Sequence, residues 1–315
     1  MTAQGGDDML IRLAIAAMLS FMATACAQQP SVEQSVDPTF RLAVATPAYP
    51  NQGPVVAIDK GHSNFHTAGG RYAPFAGLLR ADGYRVRSIG ERFDANSLRG
   101  IDVLVIANAL GKPDAAPAFT STEASAVETW VAQGGSLLLI ADHTPFGSAA
   151  QILAAQFNVD MGKGYAVVSQ RGKFRANIEF AGDMLGEHPI LAGRDPNETI
   201  HRVKSFTGQS LSLPVGATAL LKLPEGSLEA VDEATLDKFQ QGEKVSLAQA
   251  GGRAQGIALT HGRGRVVIMG EAAMFTAQVI HQPGKPDDHF GMSVPGFDDR
   301  QFALNILHWL SRLLP

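Results

Sequence analysis

Four nearly continuous apolar runs punctuate the chain: Val55-Val56-Ala57-Ile58, Ile101 to Ala107, Ser136 to Ile140 and Arg265 to Met269. Runs of this length without polar alternation read as strands buried on both faces of a parallel sheet. Between them the apolar period lengthens. Tyr72, Phe75, Leu78 and Leu79 recur at helical spacing, and Asp82-Gly83 closes that helix before Tyr84-Arg85-Val86-Arg87. Thr120 with Glu123 forms a capping box, Val127, Trp130 and Val131 make an apolar stripe, and Gly134-Gly135 supplies the stop. A further helix passes through Ile152, Leu153 and Phe157, and an amphipathic one over Gln301 to Leu314 buries Phe302, Ile306, Leu307, Leu310 and Leu314. Strands alternating with helices predict an α/β, doubly wound, mostly parallel sheet with right-handed crossovers.

The rhythm changes over residues 165–259, where short alternating stretches such as Ile200 to Leu213 and Ala217 to Leu223 are separated by Gly and Pro. This segment reads as a β-rich insertion. Glu229 to Gln241 is polar enough for a surface helix. Gln255 to Thr260, the turn His261-Gly262-Arg263-Gly264 and Arg265 to Met269 form a hairpin that returns the chain to the sheet.

With 315 residues, 45% hydrophobic and 18% charged, the chain can bury a full core. A net charge of -4 and the lack of a long Lys/Arg run argue against nucleic acid as a partner. The first residues read as an export signal, residues 1–27, best framed by a start at Met9: Arg12, then the apolar run Leu13 to Met22 and small residues up to Cys26. That run is shorter than the roughly 20 residues a spanning helix needs. Cys26 is the sole cysteine, so no disulfide forms within the chain. Ala23-Thr24-Ala25-Cys26 is similar to a lipobox, with Ala23 where Leu is usual, and it also fits the A-x-A rule of ordinary cleavage. The first alternative gives a membrane-anchored lipoprotein held by its lipid alone, the second a free periplasmic protein. Residues 28–50 read as a polar, Pro-containing linker, leaving 51–315 as the folded domain.

In open α/β sheets, ligands bind beyond the carboxyl ends of the strands. The first run here ends in Asp59-Lys60-Gly61-His62-Ser63-Asn64-Phe65-His66, the third in Asp142-His143-Thr144-Pro145, and the fourth in Gly270-Glu271. Asp59, His62 and His143 suit a divalent ion such as zinc. The bland alternative has Asp59, Ser63, Asn64 and Thr67 simply capping a turn. Asp142 and His143 converge only if a turn begins at Asp142, since neighbours on an extended chain face opposite ways. Asp142 and Glu271 are candidates for proton transfer, and His66 and Asn64 for substrate contact; Glu271 has the alternative role of capping a helix through Ala272 to Phe275. His281, Asp287, Asp288 and His289 lie in a Pro/Gly-containing stretch that reads as a solvated loop or a lid. Gly61, Gly69-Gly70 and Gly162-x-Gly164 match no dinucleotide or P-loop fingerprint, so no nucleotide cofactor is expected.

The stretches Ile58 to Thr67, Phe119 to Gly135, Ala141 to Phe146, Gly270 to Phe275 and Asp299 to Asn305 together resemble bacterial proteins with class I glutamine amidotransferase-like domains. These are flavodoxin-like and related to gliding-motility and intraflagellar-transport domains. The resemblance spans about Val55 to Leu314. It implies a flavodoxin-like fold; the fold itself hosts many activities. True amidotransferases carry a nucleophilic Cys on the turn after a central strand, whereas Asp142-His143-Thr144 stands here and the only thiol is in the leader. Hydrolysis through a cysteine thioester is therefore excluded. Two expectations remain: a metal-assisted hydrolase of a cell-envelope, carbohydrate-like or peptide-like substrate, and a non-catalytic scaffold in an envelope or transport assembly.

Overall fold

The computed structural model describes residues 33–112 and 116–315; the leader and Cys26 lie outside the described residues. A seven-stranded sheet runs in the order Thr218–Lys222, Ala254–His261, Gly264–Met269, Ser136–Ile140, Val103–Ala107, Val55–Asp59, Arg85–Ile89. The last five are mutually parallel. The four expected apolar runs lie side by side at its centre.

Their continuous apolar character has a direct cause. Val56, Ile58, Val103, Val105, Leu138, Ile140, Val267 and Met269 face a core shared with helices Ala73–Ala81 and Asp299–Leu310. Ala57, Leu104, Ile106, Leu137, Leu139, Val266 and Ile268 face a second core under Ser121–Ala132 and Phe146–Ala154. Both faces are covered, so neither parity tolerates a polar residue. Each Leu, Ile or Val buried this way contributes about 1.5–3 kcal/mol.

The Thr120 cap is made as expected: its Oγ1 accepts from Glu123 N at 3.2 Å, and its N–H donates to Glu123 Oε2 at 3.0 Å. Thr120→Ala should lower the unfolding free energy by about 1 kcal/mol in a denaturant titration, because the orphan N–H groups of the first turn lose their acceptor. An unchanged midpoint would show the cap to be redundant.

The β-rich insertion is only partly separate. Its strands Thr218–Lys222 and Ala254–His261 extend the main sheet antiparallel. Tyr165–Gln170, Lys173–Arg175, Leu228–Ala230 and Ala248–Gln249 form a small sheet of their own. The helix expected from Glu229 instead spans Glu233–Gln240, capped by Asp232. Glu229 belongs to a strand and is buried, accepting from Gly164 N at 2.7 Å, which its polarity conceals in the sequence.

Two further readings are corrected. The stretch read as linker contributes a strand, Glu33–Val36, paired antiparallel with Ala277–His281. The stretch read as a solvated loop or lid is the hairpin Ala277–His281/Asp288–Gly291 on the same small sheet. Long-range pairing partners, invisible locally, order both. Gly291 has a left-handed φ of 71°, and a Cβ there would meet Thr276 O at 2.2 Å, so only glycine fits where the second strand of this hairpin ends. No described helix is long and apolar enough to cross a membrane.

Candidate functional site

The carboxyl ends of the parallel strands carry all the expected residues, in two groups rather than one. Glu271 follows Gly264–Met269, Asp142 follows the neighbouring Ser136–Ile140, and Asp59 ends Val55–Asp59, beyond Val103–Ala107. Asp59 is therefore three strand spacings from the Glu271 strand, about 14 Å. A single site made by all six residues is thereby corrected to two clusters. Asn108, at the end of the strand between them, adopts a left-handed φ of 46° and joins the two. Its Oδ1 accepts from Asp142 N at 2.9 Å and its carbonyl accepts from Phe65 N at 2.9 Å.

In the first cluster, Asp59 is fully buried and accepts from Gly61 N at 2.9 Å through Oδ1. Its Oδ2 meets His62 Nδ1 at 2.8 Å and accepts from Asn64 Nδ2 at 3.0 Å. His62 Nε2 lies 3.2 Å from Glu123 Oε1, and the imidazole packs between Phe93 and Phe119 at 4.6 and 4.8 Å. Burial pulls the His62 pKa down, but the bonds and charges of Asp59 and Glu123 outweigh it and the net shift is upward. At Glu123 burial pushes the pKa up, but the hydrogen bonds from Thr120 first, and the bond and charge of His62 after them, outweigh it and the pKa is lowered. His62 is thus a charged bridge between two carboxylates, with both ring nitrogens engaged. A metal ligand needs a neutral imidazole with a free lone pair. Asp59 and His62 come together, His143 belongs to the other cluster, and the described residues contain no set of three or more His, Cys, Asp or Glu arranged to hold an ion. Asn64, half-buried, braces Asp59 through its amide.

Glu123 was legible in the sequence only as the acid of a capping box. One oxygen is used there, accepting from Thr120 N and Oγ1, while the other reaches His62. The signal that could have found it is a capping-box acid on a helix following a polar strand end.

The second cluster surrounds Asp142. His143 N donates to Asp142 Oδ1 at 2.9 Å, and Phe146 N donates to His143 O at 3.0 Å, so the turn begins at His143, one residue later than the turn expected from Asp142. Asp142 Oδ1 lies 4.0 Å from His143 Nε2; the carboxyl is buried, with 11% of its side-chain area exposed, while the imidazole reaches solvent with 22%. His143 Nδ1 lies 2.8 Å from Thr144 O. A carbonyl only accepts, so Nδ1 carries the hydrogen and Nε2 turns a lone pair toward Asp142. The ring stacks on Tyr165 at 4.3 Å, and burial lowers its pKa against the opposing Thr144 bond.

Burial raises the Asp142 carboxyl from 3.8 to about 7, despite donors at His143 N and Ala272 N. Glu271 is fully buried and raised well above its ordinary range, by burial first and the Asp142 charge second. It accepts from Ala273 N at 2.9 Å, Met274 N at 2.8 Å and Phe206 N at 3.3 Å, which makes it the cap of the short 3-10 turn Ala273–Phe275. Asp299 is likewise raised, by burial first with Glu271 contributing. Tyr72 donates to Ala272 O at 2.9 Å and stacks on His66 at 4.7 Å. His66 is buried with Nδ1 unpartnered, and burial aided by the Arg71 charge lowers its pKa to about 3. Arg71 itself lies over the exposed Phe65 ring at 4.4 Å. Buried Gln209, from the insertion, donates to Ala141 O at 2.7 Å and Asp142 O at 2.9 Å; lying so far along the chain, it carried no local signal.

No family model matches the sequence. No curated protein matches it either. Among solved structures, the mmIFT52 N-terminal domain superposes with a TM-score of 0.58 at 13% identity, over 81% of this chain and 97% of that one. A ThuA-like protein from Bacteroides uniformis gives 0.43 at 10% identity, over 87% and 95%. A GMP synthase component from Thermoplasma acidophilum gives 0.42 at 12%, over 83% and 96%. The fold is a flavodoxin-like α/β domain. At these identities the likeness reaches the fold and goes no further, so the chemistry rests on the chain's own residues.

Proposed function

We propose that this amidotransferase-like domain is a hydrolase whose acid–base pair is Asp142 and His143, acting on a carbohydrate-like or peptide-like substrate of the cell envelope. One observation carries the reading: of the six strand-end candidates, His143 alone is not buried, and its Nε2 lies 4.0 Å from the Asp142 carboxyl. A carboxyl near 7 is partly ionised at neutral pH, so Asp142 takes a proton from an attacking water and returns it to the leaving group. Neutral His143 offers its Nε2 lone pair to the same water. Tyr165 stacks on the His143 ring, and Phe65, with Arg71 over it, packs on Phe146 beside His143. Glu271 shapes the field at Asp142 from behind rather than touching substrate.

The test is hydrolysis of chromogenic glycosides, peptidoglycan fragments and amino-acyl esters by parent, Asp142→Asn and His143→Ala proteins. A fall of about 100- to 10,000-fold in the Asp142 variant, with an intact fold by circular dichroism, is the expected result. Undiminished turnover in that variant removes the reading. A divalent ion stays a proposal of its own, tested in the same assay by chelation and reloading with zinc. Zinc-restored turnover that vanishes in His62→Ala would return an ion to Asp59 and His62.

The second reading, a scaffold in an envelope or transport assembly, is favoured by the full burial of Asp59 and Glu271, which suits structural pins. Export is proposed with either reading, with lipid attachment at Cys26. Cys26→Ser should move the protein from the membrane to the soluble periplasmic fraction; unchanged membrane association argues against the lipid.

A further inference from the structure

Away from the strand ends, a cleft of about 570 Å³ opens between the insertion and the hairpin Ala277–His281/Asp288–Gly291. That volume lies within the range of about 300–1,000 Å³ typical of small-ligand sites. Its walls combine two kinds of surface. Phe206, half-buried, stacks on Phe290 at 5.1 Å and 22° to form an aromatic shelf. Around it stand Arg171, Arg175, Lys204 and Asn177.

The charges are unequal. Arg171 is answered by Glu179 at 3.2 Å. Among the described residues, Arg175 and Lys204 belong to no ion pair, and Asp288 is the other carboxylate of the lining. In a chain with a net charge of -4, two unanswered cations beside an aromatic shelf mark a local reversal of sign. The floor is held in place from beneath. Lys204 N lies 3.2 Å from both oxygens of Asp299, and Phe206 N donates to Glu271 at 3.3 Å, so the segment bearing cation and ring is pinned to the buried acids.

We propose that this cleft binds an acidic saccharide, its carboxylate between Arg175 and Lys204 and a sugar face on Phe206. The apolar C–H face of a pyranose covers an aromatic ring, while hydroxyls need planar polar partners, which Asn177, Glu179 and Asp288 provide. A bare phosphate would leave the shelf uncovered, and a neutral sugar would leave both cations unanswered. The assignment goes beyond the hydrolase reading and does not depend on turnover.

Isothermal titration of the full chain with digalacturonate, a glucuronate-containing disaccharide and a sialyl-galactose disaccharide tests it. Saturable binding of at least one is expected, with about a tenfold loss when its carboxylate is methyl-esterified, since a charge-assisted bond is worth about 1.5–3 kcal/mol. Arg175→Ala and Lys204→Ala should each weaken binding about tenfold, and Phe206→Ala comparably. Among the described residues Arg175 and Lys204 make no side-chain hydrogen bond or ion pair, and Lys204 Nζ lies only loosely over the Phe297 ring at 5.8 Å, so their variants remain folded, checked by thermal melting. Inorganic phosphate should fail to compete. Equal affinity for the ester, unchanged affinity in both cation variants, or absence of saturation for all three probes to about 5 mM overturns the proposal; competition by phosphate at similar affinity reduces the site to an anion site and overturns the saccharide assignment.

Discussion

Asp142→Asn is expected to raise the unfolding free energy by about 3 kcal/mol at about pH 8 while it removes hydrolysis. The carboxyl is held near 7 in the folded protein and near 3.8 when unfolded, a difference of up to about 4 kcal/mol against folding once the pH exceeds both values. The sign follows from proton counts. Between those values the folded state binds the proton that the unfolded chain has released, so parental stability falls as pH rises from about 4 to about 7. Glu271 and Asp299, also raised, steepen the same decline. Asparagine cannot ionise, and its carbonyl keeps the bond from His143 N. It loses the acceptor for Ala272 N, which offsets about 1 kcal/mol of the gain and leaves the net at about 3 kcal/mol. Urea titrations of both proteins across this pH range provide the measurement. Parallel stability profiles for parent and variant would mean that Asp142 is not held protonated by the fold. A more stable yet inactive variant has a further implication: the strained acid is kept for what it does, since stability alone would favour the amide.

His62→Ala should destabilise the domain by about 3–5 kcal/mol at about pH 6, enough to unfold much of it at physiological temperature. Removing the imidazole leaves Asp59 and the Glu123 oxygen confronting one another in a pocket walled by Phe93 and Phe119. The pair of carboxylates then has no counter-charge where water is scarce. Since the folded pKa of His62 is raised, its stabilisation is fully present below the ordinary 6.5 and is lost as pH rises through the folded value. The gap between parent and variant should therefore narrow at high pH. His62→Gln, which keeps one donor and much of the volume, should lose less. Unfolding curves at two pH values decide the matter: a small, pH-independent loss would show that His62 is not the charged bridge. Zinc adds a separate readout, because a metal-dependent rise in melting temperature in the parent, absent in the variant, would point to ligation instead.

Much of the fold was legible locally. The runs at Val55, Val103, Ser136 and Val266 are apolar at every position because both sheet faces are covered, and that double constraint marks a central parallel strand without knowledge of its partners. The Thr120/Glu123 box and the Gly264–Met269 return strand were equally local. The pairing of Glu33–Val36 with Ala277–His281 was not, since it joins segments more than two hundred residues apart and both look polar in isolation. Nor was the assignment of Glu229, whose charge suggests a surface while Gly164 N and Ser210 receive it in the interior.

For the site, the chain's own pattern determined where ionisable groups would stand, because a buried strand that ends in Asp, His or Glu must deliver them to the carboxyl edge of the sheet. It also determined that no cysteine chemistry operates there, since the one thiol lies at Cys26. Tertiary structure alone decided how those groups divide. The strand order set Asp59 two strands from Asp142 and three from Glu271, and strand order depends on crossovers that no local spacing encodes. Only the folded chain brought Glu123 to His62, turning a candidate ligand into a bridged cation, and only the turn at His143 placed its Nε2 4.0 Å from the Asp142 carboxylate. Burial, which depends on everything packed around a residue, then raised one acid into the neutral range and closed others away.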